Sequence, residues 1–190
     1  TCYPTPSDTI DAFERFENPE KYIFDAFTLD AIYARKSQAE RLKKVNNNNS
    51  IIKIYNMSVE DIDKAKKLED EQCIDILSKT SMLSDLNDQN FSYFVIKLND
   101  DIIGYIATSH VIDTMDILSI VVSKSHQQKG IATKLLYYIF DFAKNLNINK
   151  ILLEVRISNT KAISLYEKCG FKKISHRKNY YQSPTEDAII

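Results

Sequence analysis

The chain has 190 residues, enough for one full domain and an appendage, and its 25 basic and 26 acidic side chains leave a formal charge of −1. That balance implies no polyanion-binding surface and no direct nucleic-acid partner, and no apolar run approaches the roughly 20 residues a membrane-crossing helix needs. Cys2, Cys73 and Cys169 are widely spaced with no Cys-x-x-Cys, and the histidines are scattered, so neither a disulfide framework nor a metal site is expected and a reducing cytoplasm fits best.

Residues 1 to 45 contain no glycine and begin without a methionine, as in a processed or partial chain. Thr1 to Asp8 reads as irregular; a short helix is expected through Phe16, broken by Asn18-Pro19. This segment could not build a core alone. Asn46 to Asn49 is a natural linker, which divides the chain into an appendage with linker, 1–49, and a domain, 50–190.

In the domain, Ile51 to Tyr55 predicts a first strand, and Ser58 with Asp61 a capping-box start for a helix toward Glu71. Cys73 to Met82 predicts a shorter helix, and Leu83 to Asn90 a loop. Phe91 to Leu98 and Ile102 to Val111 flank Asn99-Asp100-Asp101, a hairpin signal, with Gly104 marking a bulge or close packing. Met115 to Val122 is the fourth strand, Gly130 to Leu146 a long amphipathic helix, and Lys150 to Arg156 a buried fifth strand. Asn159 caps a helix from Thr160 to Lys168, closed by Gly170. Phe171 to Tyr181 supplies a sixth strand, and Asp187 begins a seventh that is expected to be cut short at Ile190. The order β-α-α-β-β-β-α-β-α-β-β predicts an α/β (α+β) domain, a mixed central sheet of about seven strands flanked by helices.

The chemistry starts at Gln127-Gln128-Lys129-Gly130-Ile131-Ala132, between strand and long helix. A helix beginning there leaves its first backbone N–H groups unpaired, backed by the positive end of the helix dipole, and a pyrophosphate suits the place. Gly130 lets the backbone approach a ligand, and Lys129 adds a cation. A buried turn that binds nothing is the plain alternative.

The element order and the Gln-x-x-Gly-x-Ala loop resemble the GNAT superfamily of acetyl-CoA-dependent N-acetyltransferases. Leu153-Glu154-Val155-Arg156, Ser158-Asn159, Ala162-Ile163, Leu165-Tyr166-Glu167, Gly170-Phe171, Asn179-Tyr180-Tyr181 and Glu186-Asp187-Ala188-Ile189-Ile190 narrow the resemblance to its RimI group. That group acetylates the N-terminal alanine of a small-subunit ribosomal protein. His126 is less usual for the family. The resemblance implies that backbone groups of Ile120, Val121 and Val122 pair with the pantetheine arm where the sheet splays, that Gln127 to Ala132 hold the pyrophosphate, and that Asn159 hydrogen-bonds the coenzyme as well as capping its helix.

The resemblance assigns Glu154 as proton acceptor and Tyr166 as proton donor. A carboxylate near the end of a largely apolar strand is placed to become a useful base, directly or through water; one held structurally by Arg156 or another cation is the alternative. Tyr166 shares a helix face with Ala162, Leu165 and Cys169, so it reads equally as a core tyrosine; protonated at neutral pH, it can donate to a departing thiolate. A modest base favours an α-amine, with a pKa of about 7.7–8, over a lysine amine near about 10.4. Direct transfer to a protein N-terminus is the expectation, with a small-molecule amine, a lysine, or an acetyl-CoA-binding module without catalysis as rivals. A basic ribosomal tail could meet Asp85, Asp88, Asp100, Asp101, Asp113 and Asp116, which otherwise read as a solvated acidic surface.

Finally, Asp30-Ala31-Ile32-Tyr33-Ala34-Arg35-Lys36-Ser37-Gln38-Ala39-Glu40 resembles the phrase that closes the TsaB family of the tRNA threonylcarbamoyladenosine machinery, without its proline. This implies a fusion tail and threonylcarbamoyladenosine-synthesis proteins as further partners; a tail that merely docks on the domain is the alternative.

Overall fold

The computed structural model describes residues 52–72, 74 and 76–190. The 1–49 appendage, its short helix, the TsaB-like phrase and the linker lie outside the described residues, as do Ile51 and Cys73.

Strands β1 (Ile52–Asn56), β2 (Phe91–Leu98), β3 (Asp101–Val111), β4 (Thr114–Val122) and β5 (Lys150–Leu153) form one sheet in that spatial order. The first four run antiparallel to their neighbours, and β5 is parallel to β4. Helix α1 (Ile62–Asp70), entered through a 3-10 turn, and α2 (Lys79–Asp85) lie between β1 and β2, and α3 (Ile131–Asn145) between β4 and β5. After β5 come β6 (Val155–Arg156), α4 (Thr160–Lys168), β7 (His176–Gln182) and β8 (Thr185–Ile189); the three strands make a second sheet in the order β6-β8-β7.

Strand alternation assigns the two faces. Phe94 and Ile96 of β2 pack with Leu135, Leu136, Ile139 and Phe140 of α3, against which Ile163 and Leu165 of α4 also pack. Tyr93 and Val95 face the other way, onto Ile62, Ala65 and Leu68 of α1 and Met82 of α2. With both faces covered, β2 reads as a continuous apolar run.

Bulges interrupt the alternation. Ile96 pairs with Gly104 but Lys97 with Ile102, leaving Ile103 as an extra residue beside Gly104. Gly104 has a steric reason too: a Cβ there would sit 2.7 Å from the carbonyl oxygen of Val121. In β4, Ile117 pairs with Thr108 and Ser119 with Ala107, so Leu118 is extra. Consequently Ile117 packs on the α3 side and Val121 on the α1 side, although a regular strand would put residues four apart on one face.

Several boundaries differ from expectation. The second helix begins at Lys79, because the Ser78 hydroxyl accepts the Ser81 N–H at 3.0 Å and sets the start there. The expected strand Lys150 to Arg156 is two strands in different sheets, broken at Glu154. The sixth strand starts at His176 rather than Phe171; Ile174 and Ser175 instead bond the backbone of Ile190. The final strand starts at Thr185 rather than Asp187, pairs with both β6 and β7, and Ile190 is buried at its end.

Candidate active site

The site originates in the divergence of β4 and β5. Their ladder covers only Thr114 to Ile117 against Lys150 to Leu153; beyond it, β4 continues to Val122 while the chain after Leu153 turns into the second sheet. The Ser123 N–H donates to the Ile103 carbonyl at 2.9 Å, which fixes the phase of the β3–β4 ladder. Val121, two residues back and opposite Tyr105, spends its backbone groups on β3. Ile120 and Val122 therefore present theirs to the edge that β5 has left. The side-chain amides of Gln72 (3.1 Å) and Gln127 (3.2 Å) both donate to the Val122 carbonyl, and Gln127 also donates to Gln72 Oε1 at 2.8 Å.

At the end of this edge the chain passes through a 3-10 turn, Lys124–His126, where the Ser123 hydroxyl lies 2.7 Å from Nδ1 of His126. Gln128 (φ +60°) and Gly130 (φ +77°) both adopt left-handed backbone. The first bond of α3 runs from Lys134 N–H to the Gly130 carbonyl at 3.0 Å, leaving Ile131, Ala132 and Thr133 N–H without intrahelical partners. A Cβ on Gly130 would meet nothing within 4 Å, so glycine serves the backbone angle rather than relieving a contact.

A cleft of about 1240 Å³ follows from this splay. Its walls include Ile120, Val121, Val122, Gln127, Gln128, Gly130, Ile131, Ala132, Glu154, Asn159 and Tyr166, so all the residues expected from sequence meet there except Lys129, which does not line it. Asn159 Oδ1 accepts the Ala162 N–H at 3.1 Å, the expected cap.

Glu154 sits at the break between β5 and β6. Its Oε1 accepts from Arg177 Nη1 at 3.0 Å and its Oε2 from the Tyr180 hydroxyl at 2.6 Å. The cation on Glu154 is thus Arg177. Arg156 stacks over the Tyr181 ring, 4.1 Å from its centroid, and bonds Glu186 and the carbonyls of Ser183 and Pro184. Residues 177 and 180 would face opposite sides of a regular strand. In β7, however, Arg177 pairs with Ala188 and Tyr181 with Glu186, so three residues stand opposite Asp187 alone. Asn179 takes φ +53°, its N–H donating to Asp187 Oδ1 at 2.8 Å, while Asp187 Oδ2 lies 2.9 Å from His176 Nε2. This bulge brings Arg177 and Tyr180 to one carboxylate.

Tyr166 presents its ring edge to Phe171, with centroids 5.8 Å apart, and its hydroxyl makes no hydrogen bond among the described residues. Burial, with a smaller contribution from Cys169, pushes its pKa up to about 12, so it keeps its proton at neutral pH. Sequence reasoning did not single out Arg177, Tyr180 or Gln72. Their only available signal was the Asn179-Tyr180-Tyr181 phrase, because a bulge and a contact across 55 residues leave no periodic trace. Among the described residues no group of His, Cys, Asp and Glu could hold a metal, and no helix is long and apolar enough to cross a membrane.

The sequence profile of the acetyltransferase (GNAT) family matches residues 49–171. A [ribosomal protein bS18]-alanine N-acetyltransferase from Haemophilus ducreyi is 36% identical over 110 residues, spanning 55% of this chain and 76% of that one. The crystal structure of the ribosomal-protein-S18-alanine N-acetyltransferase from Escherichia coli superposes with a TM-score of 0.67 at 27% identity, covering 73% of this chain and 90% of that one. A spermidine N-acetyltransferase mutant from Vibrio cholerae shares the fold at 21% identity, with a TM-score of 0.65 and coverage of 73% and 90%. The family match runs through the open strand edge, the Gln127 to Ala132 loop, Glu154 and Tyr166, and the chain belongs to the acetyltransferase (GNAT) family, whose enzymes use acetyl-CoA.

Proposed function

We propose that this enzyme acetylates the N-terminal α-amine, an alanine, of a small-subunit ribosomal protein by direct transfer. Glu154 acts as proton acceptor and Tyr166 as proton donor. The observation that carries the reading is that both line one cleft with the open edge of β4 and the unpaired N–H groups of α3. The names of the Haemophilus and Escherichia relatives support the acceptor. We take the acetyltransferase domain to span residues 50–190 with 1–49 as its appendage; the names of these two relatives do not support threonylcarbamoyladenosine-synthesis proteins as partners.

The donor and acceptor ends of the cleft differ in construction. Ile120 and the Val122 N–H offer strand-like backbone bonds to the pantetheine arm, the Val122 carbonyl being held by Gln72 and Gln127; Val121 contributes its place on the wall, and the Gln127 to Ala132 loop offers N–H groups to the pyrophosphate, with Lys129 adding charge from outside the wall. The Asn159 amide nitrogen is available to the coenzyme while its oxygen caps α4. Acetyl-CoA supplies the thioester when bound there.

Glu154 takes up the proton that the acceptor amine must lose, directly or through one water. Tyr166, whose phenol is held protonated, supplies a proton where the thiolate leaves. No side chain needs to carry the acetyl group between the two. The test is CoA release from acetyl-CoA with a peptide bearing the ribosomal N-terminus and with the same peptide N-terminally blocked. Turnover on the free peptide alone is expected. Turnover on both, or on spermidine in preference to either, would replace the proposed acceptor.

A further inference from the structure

Gln127, Gln128 and Lys129, which lead from β4 into α3, are all exposed, whereas Val122 and Ile131 on either side are core residues. Apolar packing therefore fixes the two ends of this loop and not its middle. Side-chain amides hold the middle. Gln127 Nε2 reaches back five residues to the Val122 carbonyl at 3.2 Å, closing the 3-10 turn into a ring, and also donates to Gln72 Oε1 at 2.8 Å. Gln72 stands just past the end of α1, 55 residues away in sequence. Its own amide nitrogen donates to the Leu68 carbonyl at 2.9 Å and to the Val122 carbonyl at 3.1 Å. Those two acceptors leave one sense for the Gln72 amide: reversed, it would set its oxygen against both carbonyls and its nitrogen against that of Gln127. The last turn of α1 thus presents Gln72 Oε1 to the loop.

We propose that Gln72 is a positioning residue for the coenzyme: acting through Gln127, it preorganises the loop that receives the pyrophosphate, although it belongs to a different element. This rests on the coenzyme end proposed above. A single bond to Val122 leaves the Gln127 amide free to turn about it. The second bond, to Gln72, fixes the amide plane and with it the backbone from which the left-handed turn at Gln128 departs. A loop already held in its binding path loses less freedom when the anion arrives, and affinity gains by the ordering cost saved. The effect of Gln72 therefore falls on the part of the coenzyme that reaches the loop, not on the pantetheine arm beside β4. It also depends on Gln127, because no other contact carries it from α1 to the loop residues that follow.

The experiment measures dissociation constants for acetyl-CoA by calorimetry, and for S-acetylpantetheine, which lacks the pyrophosphate, by competition against it. The proteins are the wild-type chain, Gln72→Met, Gln127→Met and the double variant; methionine keeps the side-chain length and removes the amide. Gln72→Met is expected to weaken acetyl-CoA by about three- to tenfold, the worth of one neutral hydrogen bond, and S-acetylpantetheine by less than about twofold. Adding Gln72→Met to Gln127→Met should change the acetyl-CoA constant no further, because the contact through which Gln72 acts is already gone. An acetyl-CoA constant within about twofold of wild type in Gln72→Met would overturn the inference. So would a Gln72→Met effect as large in the Gln127→Met background as alone, since the route would not pass through Gln127. Equal weakening of both ligands would overturn it too, and make Gln72 a merely structural residue of α1. If the wild-type chain binds S-acetylpantetheine as tightly as acetyl-CoA, the proposed coenzyme end fails and this inference with it; a wild-type preference for acetyl-CoA that Gln72→Met leaves unchanged removes the inference alone.

Discussion

Glu69 has no solvent-exposed side-chain surface, yet it carries a carboxylate, and removing that carboxylate should damage both the fold and the cleft wall. Lys66 Nζ donates to Oε2 at 2.5 Å and the Ile76 N–H to the same oxygen at 3.4 Å, while the Tyr105 hydroxyl donates to Oε1. Tyr105 in turn accepts from Ser119 at 3.1 Å, and Lys66 also reaches the Leu77 carbonyl at 2.8 Å. Glu69→Leu takes one carboxylate from the partly buried Lys66 ammonium and leaves the buried Tyr105 phenol without this acceptor. Breaking a buried pair from one side costs about 3–5 kcal/mol. For a domain of this size that corresponds to a fall in Tm of roughly 10–15 °C. Thermal unfolding followed by circular dichroism measures it. A fall of less than about 3 °C would refute the reasoning, because the buried Tyr105 phenol would then have lost its acceptor at almost no cost. The double variant Lys66→Met/Glu69→Leu should recover part of the loss, since neither charge then remains. At a temperature where Glu69→Leu is still folded, the KM of a substrate bound in the cleft should rise. The carboxylate and Lys66 tie down Ile76 and Leu77, which form part of the cleft wall.

The two proposed proton carriers are separable from coenzyme binding. Glu154→Gln should lower kcat by about a hundredfold with the acetyl-CoA dissociation constant nearly unchanged, as calorimetry would show. Tyr166→Phe should slow the step that releases CoA by a similar factor in single-turnover assays, and wild-type rates in both variants would remove the assignment. Gly130→Ala forces a left-handed alanine at φ +77° at a cost of about 1–2 kcal/mol, read as a fall in Tm of a few degrees, and should weaken acetyl-CoA binding because its new methyl group lies on the cleft wall. Alkali should unfold the chain cooperatively with tyrosine ionisation. Burial raises the pKa values of Tyr93, Tyr105 and Tyr181, and that of Tyr166 to about 12. With the folded values above the unfolded value near about 10, the stability these groups contribute is complete below that pH and is lost as the pH rises through the folded values. Ionisation of all eleven tyrosines near pH 10 with no loss of structure would contradict this.

The elements legible in the sequence were those whose signals are local. The Asn159 cap, the Gly130 start of α3 and the Asn99-Asp100 hairpin each depend on residues within a few positions, and each stands where expected. The break at Glu154 was not legible, because Ile151 to Val155 is a largely apolar run with no turn residue and what ends β5 is the divergence of its partner β4. Cys73 to Met82 is sufficiently apolar to read as helix, but the Ser78 cap places the start later, and capping outweighs weak propensity over so short a segment. The β7 bulge was invisible for another reason: three residues opposite one is a property of pairing with Asp187, and no window on His176 to Gln182 alone contains it.

The two ends of the cleft also differ in how freely sequence can alter them. At the proposed coenzyme end the groups on offer are backbone: the outward groups of Ile120 and the Val122 N–H, and the N–H groups after Gly130. Side-chain substitution changes such groups only by changing the backbone path, so the constraint falls on a few positions such as Gly104 and Gly130, where a Cβ meets the Val121 carbonyl or a left-handed angle forbids most residues. At the other end the groups are side chains, Glu154, Arg177 and Tyr180, held by a bulge that a single insertion or a change at Asp187 would re-aim. A scaffold of this construction can keep one donor while its acceptor changes. A protein 21% identical and named for spermidine shares the fold, and this division gives a physical reason why that likeness does not transfer its substrate.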